Sequence, residues 1–408
     1  MRLLLGLLFL GLCVSEVQAQ LLPLQYDTTE RSQEIIVNAG GEYMGNAVQN
    51  QLANKFLFGG TITDEIKDAS FDKHKAINRF GGVLNGEIEY RNYNVTPFKK
   101  KPWGMVIKAG AGVFGGVLYS DDAYGLALYG NDRYVGDTID LSGMNINVVQ
   151  FQKLGFGLID PKTKSSVSLN AYAINNRIRG DFRGAYLSQT SDGSSVTLEM
   201  DSELDVRQSS TYIQGFGLGV DADFKFPVSY GQEKTAIVQL QVKNMGVGYM
   251  HAQQQVYNID TSFTFTGLRF NEIIGDGSIL NDSLDVLDTL GVQSSMKNRT
   301  FLLPGFVQVG KIVNAGSDQM LQSFFGVRLY PTLIYVPYIY AGLHVQATDW
   351  LSFGANVGYG GFTNVRGGLY SSIKFDKFAL GIATEDIVGM VSKKGTGRSL
   401  FIRLKCAF

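Results

Sequence analysis

From Arg79 onward the chain alternates apolar and polar residues in segments of about 8 to 14 residues, separated by Gly, Asn, Asp, Ser and Pro clusters; a period of two is a strand signal. Over Tyr212 to Phe226 one face carries Phe216, Leu218, Val220, Ala222, Phe224 and Phe226, and the other Gly215, Gly217, Gly219, Asp221, Asp223 and Lys225. At about 3.3 Å per residue this strand is roughly 50 Å long, beyond most globular strands. Thr235 to Lys243 shows the same split, as does Tyr338 to Gln346, where Ile339, Ala341, Leu343 and Val345 oppose Tyr340, Gly342, His344 and Gln346. In Leu351 to Tyr359, Phe353, Ala355 and Val357 oppose Gly354, Asn356 and Gly358. A soluble sandwich also alternates, but large apolar residues against glycine and polar residues over such lengths is the transmembrane-barrel pattern, apolar to lipid and small or polar to the lumen. The expected fold is all-β, a transmembrane antiparallel β-barrel.

Two regions break the alternation. After a first strand at Glu34 to Met44, residues 46–68 carry Ala47, Leu52, Phe56, Leu57, Ile62 and Ile66 at helical spacing. A helix cannot join a strand ladder within lipid, so this segment is expected to occupy the lumen as a plug. Residues 271–295 read as a loop with a short helix, Leu280, Leu284 and Leu287 on one face and Asp282, Asp285 and Asp288 on another. Those aspartates lack the spacing and central glycine of a calcium loop and read as a solvated face.

The N-terminus sets the compartment. Arg2, the apolar run Leu3 to Val14 and Val17-Gln18-Ala19 have the three-part form of a secretory signal, with cleavage between Ala19 and Gln20. Residues 1–19 are then the signal and 20–408 a single barrel domain, with Cys406 its only thiol and no intramolecular disulfide. No later apolar run approaches the roughly 20 residues of a spanning helix. Either the exported chain is soluble or it enters a membrane as strands. Dividing about 389 residues by roughly 27 per strand and connection gives about 14 strands, within a range of 12 to 16.

Composition narrows the chemistry. Charged residues are 18% of the chain, glycine numbers 49, and Phe 26 and Tyr 20 supply nearly all the aromatics. A net charge of −1 leaves no positive field for nucleic acid. Only three histidines occur, far apart, so neither a metal site nor a cofactor is expected. Gly110-Ala111-Gly112-Val113-Phe114-Gly115 matches a dinucleotide fingerprint by letter, but strand and turn follow it rather than a helix, so it reads as glycines on a small inward face. Arg179-Gly180-Asp181 spells an adhesion tripeptide, which recurs by chance. Lys99 to Lys101 beside Trp103 suits a water-facing turn. Arg328, His344, Gln346, Arg366 and Arg403 are the candidate lumen-lining residues.

Over Ser399 to Phe408 one face carries Leu400, Ile402, Leu404, Cys406 and Phe408, and the other Ser399, Arg403 and Lys405. A terminal Phe behind alternate apolar residues looks like the signal read by the barrel-assembly machinery, carried here by Leu404, Cys406 and Phe408. The chain also resembles a Bacteroidota outer-membrane β-barrel family of unassigned function, itself similar to fatty-acid-transporter (FadL-like) and type IX secretion shuttle (PorV-like) barrels. The likeness rests on Asn54-Lys55-Phe56 with Gly59-Gly60, Val242 to Gly246, Tyr257 to Gly267 and Asn364 to Gly368, and covers nearly the whole mature chain. Its motifs are structural and supply no catalytic residue; the polar middle, Asp181 to Gln208, is longer than the family pattern.

The expected function is therefore a non-enzymatic outer-membrane barrel, exported to the cell surface of a Gram-negative bacterium. It either passes a small, hydrophobic molecule or serves as a docking scaffold for secreted proteins or surface lipoproteins; its other partners are outer-membrane lipid and the assembly machinery. One rival is a soluble exported β-sandwich for binding or adhesion. Another is a barrel-embedded lipid hydrolase that sets His344 against a serine.

Overall fold

The computed structural model describes residues 25–27, 29–95, 97, 103–207, 212–230, 234–265 and 293–408. The Ala19–Gln20 cleavage site, Lys99 to Lys101 and nearly all of 271–295 lie outside the described residues.

Eighteen strands join one sheet. They are β1 (Gln25–Tyr26), β2 (Gln33–Gly45), β3 (Asn78–Asn92), β4 (Gly104–Tyr119), β5 (Thr138–Asp140), β6 (Asn145–Ile159), β7 (Ser166–Gln189), β8 (Val196–Arg207), β9 (Gly215–Tyr230), β10 (Lys234–Phe265), β11 (Gln293–Leu302), β12 (Phe306–Asn314), β13 (Leu321–Leu329), β14 (Val336–Gln346), β15 (Leu351–Gly361), β16 (Val365–Lys374), β17 (Phe378–Thr384) and β18 (Gly397–Ala407). Among the described residues four α-helices, α1 (Asn50–Phe58), α2 (Asp64–Phe71), α3 (Asp121–Tyr129) and α4 (Ile387–Val391), lie in the connections.

The sheet closes on itself where β18 pairs with β2, from Gly397↔Met44 to Ala407↔Glu34. Closure removes the free edges that an open sheet would expose to lipid. β8 and β9 run in succession along β10, and so do β11 and β12, so each pair is one interrupted wall strand. With β1 and β5 set aside as short additions, the described residues form an antiparallel wall of fourteen strands, the even number expected from length. Turns 160–165, 347–350 and 375–377 are short and share one end with both termini of the ring, whereas the other end carries the long connections 46–77 and 120–144. The wall is taller on one side. β7, β8, β10 and β11 continue past the ring at the long-connection end as a four-stranded sheet, and the described part of the polar middle forms its β7–β8 hairpin, on one side of the central β8–β10 pair.

Facing follows the period of two. Leu154, Phe156, Leu169, Leu218, Ile339, Leu343, Phe353, Val357 and Leu400 are exposed on the outside, Leu218 at 74%. Their inward neighbours are glycines, aromatics or charged groups; Lys153, Asn170, His344 and Ser352 are all buried. An apolar belt continuous around a closed wall is far larger than the apolar patches of soluble proteins. The chain has the fold of a transmembrane β-barrel.

The helices do not plug the lumen. α1, α2 and α3 gather Leu52, Phe56, Ile62, Ile66, Phe71 and Tyr124 around Phe80, Val117 and Tyr119. In β3 and β4 the pairing is unbroken, with Ile88 and Ile107 exposed and Glu87, Lys108 and Phe114 buried, so Phe80, Val117 and Tyr119 point outward. The expected plug at 46–68 is instead a collar on the outer rim. Its apolar stripe needs an apolar surface, and the outward face of the wall supplies one.

Candidate functional site

The lumen is closed at three levels. At the long-connection end, residues 330–335 fold inward, and Tyr330, Ile334 and Tyr335 pack with Met44, Phe114, Phe306, Tyr338 and Phe362 into one buried cluster. Ring centroids lie 4.6 Å apart for Tyr330–Tyr335, 5.1 Å for Tyr335–Phe362 and 5.4 Å for both Phe114–Tyr330 and Phe306–Tyr330. The glycines of β3 and β4 make this possible. A Cβ on Gly116 would stand 2.7 Å from Ile334 Cγ2, and one on Gly81 would collide with the Phe362 ring. The Gly-Ala-Gly-Val-Phe-Gly stretch thus lies in the middle of strand β4; a helix, α3, does follow that strand where a turn was expected, but it starts beyond Tyr119, away from the glycines, and its first turn carries Asp121 and Asp122, which repel a pyrophosphate.

Two of the candidate lumen residues belong to this level. Arg328, 1% exposed, donates from Nε and Nη2 to Gln308 Oε1 at 2.9 and 2.6 Å. Arg366 bridges Glu42 at 3.0 Å and Glu385 at 2.9 Å, and its guanidinium lies 3.9 Å from the Tyr338 ring centre. Both arginines are buried beside carboxylate, amide or aromatic partners, as buried charge requires.

The middle level is a web of ion pairs. Lys243 of β10 reaches Glu87 of β3 at 2.6 Å, Lys153 of β6 pairs with Glu87 and, at 3.1 Å, with Asp221 of β9, and Lys108 of β4 meets Asp221 at 3.2 Å. A bulge between Val242 and Met245 turns the wall here. With Asn244 at φ 52°, it aims Lys243 and Asn244 inward together; the Asn244 backbone N–H donates to Asp221 Oδ1 at 2.8 Å, and its side chain accepts from Lys153 Nζ at 3.0 Å. The Val-Lys-Asn-Met-Gly motif of the sequence is this bulge.

His344 and Gln346 line the wall between the closures. Tyr370 Oη lies 2.6 Å from His344 Nδ1 and Gln346 Oε1 3.3 Å from Nε2, while Gln346 Nε2 donates to Thr348 O at 2.6 Å. Both ring nitrogens thus face partners other than a serine hydroxyl, so the nucleophile and base of a hydrolase are not assembled here. Arg179 pairs with Glu203 at 2.7 Å and Asp181 at 3.2 Å, which holds the adhesion-like tripeptide within a strand of the projecting sheet.

At the short-turn end the chain closes its own mouth. β1 pairs in parallel with β12 through Gln25↔Val313 and Tyr26↔Asn314, and the chain then runs to β2. In the fourteen-strand ring β12 lies opposite β2, so residues 25–27 and 29–32 cross the mouth as a strap. Asp27 bonds Lys374 at 3.1 Å, Arg31 bonds Asp376 at 3.2 Å, and Gln25 donates to Ser352 Oγ at 3.3 Å. Beneath the strap, Arg403 lines a pocket of about 120 Å³. On the same strand Phe408 points outward and donates its backbone N–H to Gln33 O at 3.0 Å; Leu404 and Cys406 share its face, half-buried.

The strap and the 330–335 fold escaped sequence reasoning, although the run Tyr330-Pro331-Thr332-Leu333-Ile334-Tyr335 between two strands is an unusually apolar connection and a usable signal.

Neither a protein-family profile nor a curated protein matches the chain. Among solved structures it is similar to a mutant of the monoaromatic hydrocarbon channel TodX, at 6% identity and a TM-score of 0.38, over 93% of this chain and 91% of that one. It is also similar to the toluene transporter TodX of P. putida, at 7% identity and a TM-score of 0.35, over 93% and 90%. A third is the translocator domain of autotransporter NalP from Neisseria meningitidis, at 7% identity and a TM-score of 0.26, over 94% and 91%. With scores this low, the functional reading rests on the chain's own geometry.

Proposed function

We propose that the chain is a closed outer-membrane barrel that admits a small molecule through a gated lumen. The observation that carries this reading is the triple closure within a lipid-faced wall, because an open porin needs a continuous water-filled lumen. The gate has two movable parts, the inward 330–335 fold and the strap of 25–32. The Tyr and Phe cluster at the long-connection end favours a small hydrophobic cargo. In this reading the protein is exported by its signal, assembled through its C-terminal strand by the barrel-assembly machinery, surrounded by outer-membrane lipid, and non-enzymatic. A place among Bacteroidota barrels with FadL-like and PorV-like relatives is part of the same proposal.

Planar-bilayer recording tests it. The intact barrel is expected to conduct little, and replacing 330–335 by a short Gly-Ser turn while deleting 25–32 and breaking the middle web with Glu87→Gln should open it. A large, steady conductance in the intact protein would make it an open pore and end the gated reading. A second reading, a docking scaffold for secreted or surface proteins, is favoured by the projecting sheet of β7, β8, β10 and β11. Shortening the hairpin around 190–195 should abolish such docking and leave the conductance low.

A further inference from the structure

The pocket beneath the strap has a charge surplus that the protein neutralises only in part, through the Arg91–Glu89 pair at 2.7 Å. Eight basic and four acidic side chains line it, all four acids already answered: Asp27 by Lys374, Glu34 by Lys405 at 2.8 Å, Asp223 by Lys225 at 2.7 Å and Asp376 by Arg31. Two of the cations left over are deep. Lys164, 5% exposed, has its ammonium 3.8 Å from the Tyr93 ring centre, with no hydrogen bond or ion pair among the described residues. The Arg403 guanidinium has no hydrogen bond or ion pair among the described residues, and it sits on the inward face of β18 with Lys405 two positions on.

Burying an unanswered cation is costly, and such groups are normally paired. Lys164 shows the cost, since burial pushes its ammonium below the usual lysine range. An anion arriving from water would supply what the fold withholds. The pocket lies inside the ring at the mouth, so that anion comes through the aqueous opening rather than from lipid. Its volume, about 120 Å³, is below the roughly 150 Å³ that takes a benzene ring, which selects a compact ion. More than one uncompensated cation selects a doubly charged oxyanion over a simple carboxylate.

We propose that the pocket between the strap and the β18 wall binds a small, doubly charged oxyanion of the phosphate class, held by Arg403 and Lys164. Asp27 already occupies part of the positive field from within the strap, so the bound anion competes with it. The site stands whether or not the barrel passes a cargo.

Titration calorimetry of the full mature chain, refolded in detergent, with inorganic phosphate as the probe tests this. One saturable site per chain is expected, with chloride a poor competitor. Arg403→Gln and Lys164→Gln should each weaken binding about tenfold. Asp27→Asn should tighten it, and Lys73→Gln, at the opposite end, should leave it unchanged. Heat-modifiable migration reports whether each variant has folded; if Arg403→Gln does not, Lys164→Gln in its turn decides. No saturable binding at millimolar phosphate, or equal binding by folded Lys164→Gln, would overturn the proposal. Weaker binding by Asp27→Asn would place the anion elsewhere.

Discussion

The two ends of this lumen are shut by different physics. At the long-connection end, closure is an apolar cluster of Tyr330, Ile334, Tyr335 and Phe362 against wall glycines, and it excludes water by packing. At the short-turn end, closure is a strap held mainly by ion pairs, each with one partner open to water: Asp376 is 80% and Lys374 38% exposed. Packing energy is insensitive to salt, whereas a solvated ion pair contributes about 0 to 1 kcal/mol and is screened. The first end is thus a stopper and the second a latch. A change in ionic conditions acts on the latch and leaves the stopper in place.

The largest expected effect lies in the stopper. Phe362→Ala removes a fully buried ring whose cavity cannot collapse, because Gly81 and Gly116 press strand backbone against it. Loss of about 3 to 5 kcal/mol is expected in urea unfolding from detergent, with conductance still low because the ion-pair web and the strap remain. If stability fell by less than about 1 kcal/mol, the cluster would be loose filling and the contrast between the ends would vanish.

Next comes the wall between the closures. Leu218→Arg, on the exposed outer face of β9, should cost about 2 to 4 kcal/mol if the residue meets mid-bilayer lipid. Gly217 makes a poor inward control, since a Cβ there would stand 2.9 Å from the Val247 carbonyl oxygen. An Arg variant that assembles as well as wild type would mean that this face meets water.

The collar at the stopper end gives a pH test. His74 lies between Ser70 O at 2.8 Å from Nδ1 and Tyr119 Oη at 3.0 Å from Nε2, and burial pushes its pKa below the usual histidine value of 6.5. A depressed folded pKa means that the unfolded segment binds the proton first, so docking of the collar is at full strength above about pH 6.5 and weakens as pH falls below it. Hydrogen exchange in α1 to α3 should rise on acidification, with the ion-paired strap unchanged at constant salt. A His74→Gln variant that kept the same pH dependence would assign it to another group.

Much of the wall was legible because lipid on one side and lumen on the other force a period of two, which Phe216 to Phe226 and Leu351 to Tyr359 display openly. The strand count followed from length. The helical character of 46–68 was legible as well, but not its side of the wall, since an apolar stripe fits a lumen or an outer rim equally; the outward Phe80, Val117 and Tyr119 decide it. The lumen web was out of reach for another reason. Lys243 and Glu87 meet across the lumen from distant strands, and no local spacing records such a pairing.

The smallest expected effect is the one that most sharpens the contrast. Arg31→Gln removes the Arg31–Asp376 bridge and the 2.6 Å bond from Nη2 to Asp376 O, at a cost to global stability of no more than about 1 kcal/mol, because the Asp376 carboxylate stays largely solvated with or without its partner. Its consequence is local. Gln25, Asp27, the two β1 pairs and the bond from the Tyr93 backbone N–H to Ser32 O would then hold the strap, and a strap that short has few other contacts with which to offset its ordering entropy. Protease cleavage within 25–32 of the refolded chain should rise several-fold in the variant, and rise in wild type as salt is raised, while urea unfolding of the barrel stays put. Cleavage that ignores both the substitution and the salt would show the strap to be packed rather than latched, and the two ends of the lumen would then be closed by the same means.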